Sequence, residues 1–389
     1  MANIGLLCSF KYLNFLGGMI ESFGGPHLPF PNWEFPLGIS FFTLQQVMYL
    51  VDCYENLVPA NTLFDHATFV SFFPYVTAGP ITRAKRMIAQ FQGVATAPGP
   101  RGDMAATGLY LFTMGLFKKV FFADTFGRIA DLGFAGYQGL STLEAWAFSL
   151  AYTLQIYFDF SGYTDMARGT GFILGFDIPI NFNSPYRSFS IIEFWQRWHI
   201  TLSNFITDYL YTPILRAFEK ATLATASVAT LVAMIIAGLW HGPSWTFVTF
   251  GALHGIALVI NQFWRKKIRR KLPKMLSWAL TFSFVNLAFV FFRAPSIVAG
   301  AHIARLLVPV NTALLGSAVL RTVPTLGLTT LLPAVVIGTV AAFFGKNSDE
   351  LARTFRPSYS YALGTASLML LAWLFMNSTI TKQFVYFAF

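Results

Sequence analysis

Two of the six histidines, His241 and His254, lie in a run of 44 residues, Ala221 to Trp264, that holds no Asp, Glu, Lys or Arg. Ionisable side chains at bilayer depth are costly, and they raise a functional hypothesis by default. His241 stands in Leu-Trp-His-Gly-Pro-Ser, where its ring hangs at a helix end beside locally free backbone. A neutral imidazole with an ordinary pKa of about 6.5 can take the proton of an attacking hydroxyl there. The alternative is a polar ring satisfied by its surroundings. For His254 that second reading is the expected one, with the ring donating to a neighbouring helix carbonyl. His199, in Glu-Phe-Trp-Gln-Arg-Trp-His-Ile, is either an interfacial histidine among aromatics or a second polar group that orients a substrate or helps polarise an acyl carbonyl.

Acidic residues form a further candidate. The stretch YFDFSGYTDMARG (157–169) places Asp159 and Asp165 at the end of an apolar span. Asp165 and Arg168, three apart, are expected to pair on a helix. A carboxylate pair for acid–base work or for a cation is the sharper alternative, but the chain offers no further oxygen ligands of the kind a dedicated metal site needs, so no metal is expected. There is no P-loop, Gly-x-Ser-x-Gly elbow or His-Glu-x-x-His motif, which disfavours ATP-driven transport and the common hydrolase nucleophiles. Cys8 and Cys53 show no metal-type spacing.

The elements that position these residues must be membrane helices. Of the 389 residues 55% are hydrophobic and 11% charged, whereas soluble domains carry roughly 25% charged residues. With about 20 apolar residues needed per crossing, spans are expected near 4–20, 36–54, 63–81, 105–123, 143–160, 221–241, 244–264, 275–292, 303–320, 328–345 and 359–380. The fold class is thus an all-α polytopic membrane protein with about 9–12 transmembrane or re-entrant helices, in a single domain over 1–389. Met1 to Ile20 lacks a basic start and a small-residue cleavage site, so it reads as a retained helix that Lys11 interrupts.

The uncharged run has the length of two helices, and His241-Gly242-Pro243-Ser244 supplies the turn between them. Phe69 to Arg83 holds Pro74, Gly79 and Pro80 and should be broken. Ser190 followed by Glu193 suggests a capping box opening a helix from Ile191 to about Tyr211. Phe194, Trp198, Phe205 and Tyr209 would share one face of it, giving an interfacial amphipathic helix or one packed partly in the bundle. Seven basic residues in Arg265 to Lys274 explain much of the +10 charge, and they read as a cytoplasmic loop near anionic lipid rather than a nucleic-acid surface.

The block from Phe158 to Ile214, followed by GLWHGPSWTFVTFGALHG (238–255), closely resembles the membrane-bound O-acyltransferase family, nearest to the alginate O-acetyltransferase membrane subunits. FPLGISFFTLQQVMYLVDCY (35–54), FFPYVTAGPITR (72–83), LFKKVFFAD (116–124) and VFFRA (290–294) extend the likeness over nearly the whole chain. The resemblance implies a tunnel through the bilayer with His241 as its catalytic histidine and His199 as the second. Trp240, Trp198, Trp195 and Arg197 would line the substrate channel. It also implies an acyl donor such as acetyl-CoA as cosubstrate, with no bound cofactor, and a polysaccharide or a periplasmic acetyltransferase partner as acceptor at the bacterial inner membrane.

Rival readings are D-alanyl transfer from a carrier protein, a transporter or flippase, and a structural subunit of an export complex. Two departures from the family pattern stand out. The chain looks short of the family's first N-terminal helices, and YLYTPILRAFEK (209–220) replaces the Gly-Gly-Asn-Arg loop common in alginate-type members, so alginate itself is not carried over as substrate.

Overall fold

A computed structural model describes residues 2–31, 33, 36–58, 61–94, 102–308, 328–378 and 384–385, and every regular element among them is helical. The first expected span is divided at Tyr12 into α1 (Ala2–Lys11) and α2 (Leu13–Ser22). α3 (Ile39–Tyr54) follows. The proline-rich segment is broken as anticipated: α4 (Leu63–Ser71) stops at Phe72, α5 (Phe73–Val76) is one turn, and α6 (Ala84–Val94) starts afresh. Pro74 sits in the first turn of α5, where its missing N–H leaves no bond unmade.

α7 (Gly102–Phe117) continues through a π-helical turn, Lys118–Ala123, into α8 (Asp124–Ala135). The centre of the molecule is α9 (Thr142–Ile173), opened by a Ser141–Glu144 capping box and packed along both α7 and α8. α7 and α9 touch through glycines: a Cβ on Gly162 would lie 2.7 Å from the Gly115 carbonyl oxygen. That closeness brings the lysines after α7 onto the acids of α9. Lys118 pairs with Asp165 at 2.6 Å, and Lys119 with Asp159 at 2.7 Å and with Asp124 at 2.8 Å.

Two expectations are corrected here. Asp159 and Asp165 are not at the end of a span, because α9 runs on to Ile173 once distant lysines neutralise them. Nor does Asp165 pair with Arg168, which instead reaches Asp349 at 3.1 Å and the Ile178 carbonyl at 3.2 Å.

The expected helix over 191–211 is also corrected. α10 (Ile191–Arg197) ends at Trp198, His199 adopts left-handed backbone (φ 42°, ψ 53°), and α11 (Ile200–Phe205) resumes before a π-helical turn, Ile206–Tyr211, and α12 (Thr212–Arg216). Ser190 does cap α10, accepting from Glu193 N at 3.1 Å, while Glu193 reaches back to Phe189 N at 2.8 Å rather than to Ser190. The aromatic face survives the break. Phe194, Trp195, Trp198, Leu202, Phe205 and Ile206 are buried and Gln196 and Asp208 exposed, so the segment packs into the bundle.

α13 (Leu223–His241) and α14 (Trp245–Phe263, continued by a π turn to Ile268) form the expected hairpin about His241-Gly242-Pro243-Ser244. Ser244 Oγ caps α14 at Thr246 N. Glycine is required at the contact, since a Cβ on Gly238 would meet the Phe247 carbonyl at 2.3 Å, and one on Gly251 the Met234 carbonyl at 2.3 Å. α15 (Lys274–Arg293), α16 (Ile297–Leu306), α17 (Leu328–Phe343), α18 (Ser348–Thr354) and α19 (Tyr359–Ser378) complete the described chain. Residues 309–320 of the span expected over 303–320 lie outside the described residues.

Among the described residues four helices have the length and hydropathy to cross a bilayer: α13, α14 with its extension, α15 and α19. Among the described residues, the other expected spans fall on short or broken helices or, in α7 with its π turn and in α9, on helices that carry paired charges.

Candidate active site

Three histidines from separate segments converge inside the bundle. His199 and His254 are 0% exposed and His241 5%, and His199 and His254 both lie within electrostatic range of His241. The C-terminal turn of α13 delivers His241 into an aromatic cage. Its ring lies 4.9 Å from Trp240, 5.0 Å from Phe292 and 6.1 Å from Phe250, centre to centre. Gly242 and Pro243 end the helix immediately after it, which leaves the ring at the tip of α13 rather than along its side.

His199 is positioned by the backbone break. Non-glycine residues seldom occupy the left-handed region, and where they do the surrounding contacts must hold them. Here Asn181 does so: its backbone oxygen accepts from Ile200 N at 3.0 Å, and its side-chain oxygen accepts from Thr201 N at 3.1 Å and from Thr201 Oγ1 at 2.9 Å. The same amide oxygen lies 3.2 Å from His199 Nδ1. An amide oxygen only accepts, so the ring proton sits on Nδ1 and Nε2 carries the lone pair. Phe160 of α9 stands edge-on to the ring at 4.7 Å.

His254 is held in the opposite tautomer. Trp195 Nε1 donates to its Nδ1 at 3.2 Å, and since indole only donates, the ring proton is on Nε2. The expected bond from His254 to a helix carbonyl is thus replaced by one received from an indole. No local pattern in α14 names a tryptophan on α10 as its partner.

The four expected channel residues divide. Trp240 borders His241, and its Nε1 donates to the Ser40 carbonyl at 3.3 Å. Trp198 is buried against Phe182, Phe194 and Phe289. Trp195 stands between His254 and a cavity of about 600 Å³, which it lines with Thr230, Met234, Gln262, Arg265 and Lys266. Arg197 lies apart, its side chain 32% exposed, paired with Glu193 at 2.9 Å and bonded to the Asn183 carbonyl. Trp240 lines a second, almost wholly apolar cavity of about 480 Å³ together with residues of α1, α3 and α13.

Two residues join the site that the motifs did not single out. Asn181, in the polar loop after α9, orients His199. Lys11 donates to the carbonyls of Trp240 at 2.7 Å and His241 at 3.2 Å. A lysine in the middle of an apolar segment was the only signal of it.

The model of the membrane-bound O-acyltransferase family matches residues 35–302, which includes all three histidines. The chain belongs to this family. It is 35% identical to the peptidoglycan O-acetyltransferase of Helicobacter pylori over 432 aligned positions, covering 100% of this chain and 81% of that protein. It is 40% identical over 302 positions to the probable alginate O-acetylase AlgI of Pseudomonas aeruginosa, covering 76% of this chain and 57% of that protein. It is also 29% identical over 285 positions to the teichoic acid D-alanyltransferase of Streptococcus thermophilus, covering 66% of this chain and 68% of that protein.

Proposed function

We propose that this acyltransferase works in the bacterial cytoplasmic membrane, taking an acetyl group from a cytoplasmic thioester, acetyl-CoA or another acyl donor, to a hydroxyl of an extracytoplasmic polysaccharide, either directly or through a periplasmic partner protein. The observation that carries the reading is the burial of His241 in a cage of Trp240, Phe250 and Phe292, with His199, from a separate segment, buried within electrostatic range of it. In this scheme His241 is the general base. It takes the hydroxyl proton as the acceptor oxygen bonds to the thioester carbonyl carbon, the carbon–sulfur bond then breaks, and the imidazolium returns the proton to the leaving thiolate. His199, with its Nε2 lone pair directed by Asn181, suits the orientation of the acceptor hydroxyl better than polarisation of a carbonyl, which needs a donor. The aromatic walls exclude water that would otherwise compete with the acceptor.

The cavity of about 600 Å³ is the donor's entry, with Arg265 and Lys266 at its rim and the basic run to Lys274 beyond. Those charges would draw a phosphate-bearing donor to the cytoplasmic face. The names of the relatives with O-acetyl acceptors favour acetyl as the group moved. The likeness to the D-alanyltransferase supports a second reading in which the donor is delivered on a carrier protein, and capture of an acyl-carrier protein by the purified chain would decide for it.

Proteoliposomes supplied with radiolabelled acetyl-CoA on one side and acceptor glycan on the other test the reading. Label on the glycan supports it. Glycan that crosses the bilayer without consuming donor would make the protein a transporter and overturn it.

A further inference from the structure

Lys11 is 7% exposed, yet it lies in an apolar helix 229 residues before the first carbonyl it contacts. Its Nζ donates to the carbonyls of Trp240 (2.7 Å) and His241 (3.2 Å) and to Ser40 Oγ (3.2 Å). Three acceptors match the three N–H bonds of an ammonium. Tyr12, the next residue, donates through its hydroxyl to the Leu239 carbonyl at 2.9 Å. Three consecutive carbonyls at the end of α13 are thereby held from outside the helix. The last carbonyls of any helix lack intrahelical partners, and the dipole there favours a cation. Water could satisfy them equally well at a surface. Here the group employed is a buried lysine, which is tolerated in such surroundings only when its charge and all its donors are engaged.

We propose that Lys11 is a positioning residue for His241. By gripping the carbonyl of the histidine itself and the one before it, it locks the terminal turn of α13 against α1 and α3 and fixes where the imidazole points. This rests on the reading of His241 as general base. Misplacing a reacting group by about 1 Å can cost on the order of 10²-fold in rate, and a helix end released from the two hydrogen bonds of Lys11 has that freedom.

The test compares the parent with Lys11→Met, Lys11→Arg and His241→Ala in lipid. Three quantities are read: turnover per folded molecule, donor KM, and the rate at which diethyl pyrocarbonate modifies His241, followed by mass spectrometry. Lys11→Met is expected to lower kcat on the order of 10²-fold with donor KM unchanged, and to change the modification rate of His241. Lys11→Arg, which keeps charge and donors, is expected to recover much of the loss.

Parent kcat and parent modification rate in Lys11→Met, beside an inactive His241→Ala, would overturn the proposal and leave the general-base reading standing. An active His241→Ala would overturn both. Should Lys11→Met not fold, Tyr12→Phe and Ser40→Ala each remove one contact of the clamp. Each is expected to lower kcat several-fold, and parent kcat in both would overturn the proposal.

Discussion

Two helix pairs in this molecule solve the same packing problem and put it to different uses. α7 with α9, and α13 with α14, both press backbones together through facing glycines, Gly115 with Gly162 and Gly238 with Gly251. In the first pair the closeness matches lysines to carboxylates: Lys118 to Asp165, and Lys119 to Asp159 and Asp124. In the second pair there is no acid, and the ionisable groups are His241 and His254, set among Phe247, Phe250 and Phe292. A full charge buried in the bundle must be paired or have its donors engaged, and that engagement spends its chemistry on holding the fold. An imidazole can be buried neutral, so it keeps a proton-accepting nitrogen for a substrate. The α7–α9 pair is therefore read as frame and the end of the α13–α14 hairpin as site.

Substitutions in the two helix pairs should therefore fail in different ways. The largest effect is expected at the frame. Lys119→Met leaves two buried carboxylates without their shared cation, which should cost about 3–5 kcal/mol of stability. It should be seen as loss of folded protein in thermal unfolding, with turnover per folded molecule near that of the parent. A fully folded but inactive Lys119→Met would move the ion pairs into the site.

His199→Ala is the counterpart within the site. It is expected to lower kcat about 10²-fold, near 2.7 kcal/mol, while the melting temperature changes little. An unchanged rate would return His199 to a structural role. Gly251→Ala tests the second contact, where the added methyl meets the Met234 carbonyl; a cost of about 1–3 kcal/mol is expected in thermal unfolding. The smallest effect is expected for Arg265→Gln with Lys266→Gln. Donor KM should rise several-fold with kcat kept, and the rise should shrink at high salt as screening takes over the same role. No change in donor KM would place donor entry elsewhere.

Much of this organisation was legible in the residues. The uncharged run and its His-Gly-Pro-Ser turn foretold the α13–α14 hairpin, Pro74 and Pro80 the broken 69–83 segment, and Ser190 the cap on α10. What stayed hidden depended on partners far away in sequence. The run from Phe194 to Tyr209 carries neither glycine nor proline, so nothing local announced the left-handed turn at His199; Asn181, in a loop, holds it. α9 looked finished at its acids because their lysines lie after α7. Arg168 found Asp349 rather than its helix neighbour Asp165, which Lys118 had already taken. Lys11 read as an interruption of a membrane helix, since the carbonyls it grips lie at the far end of α13.

The central claim is that His241 does chemistry and does not merely pack. It is tested most directly by measuring acetyl transfer and thermal unfolding together for the parent and His241→Ala in the same lipid. Transfer is expected to fall by at least about 10²-fold, as for loss of a general base, with insertion and melting temperature kept. Turnover retained in folded His241→Ala would contradict it.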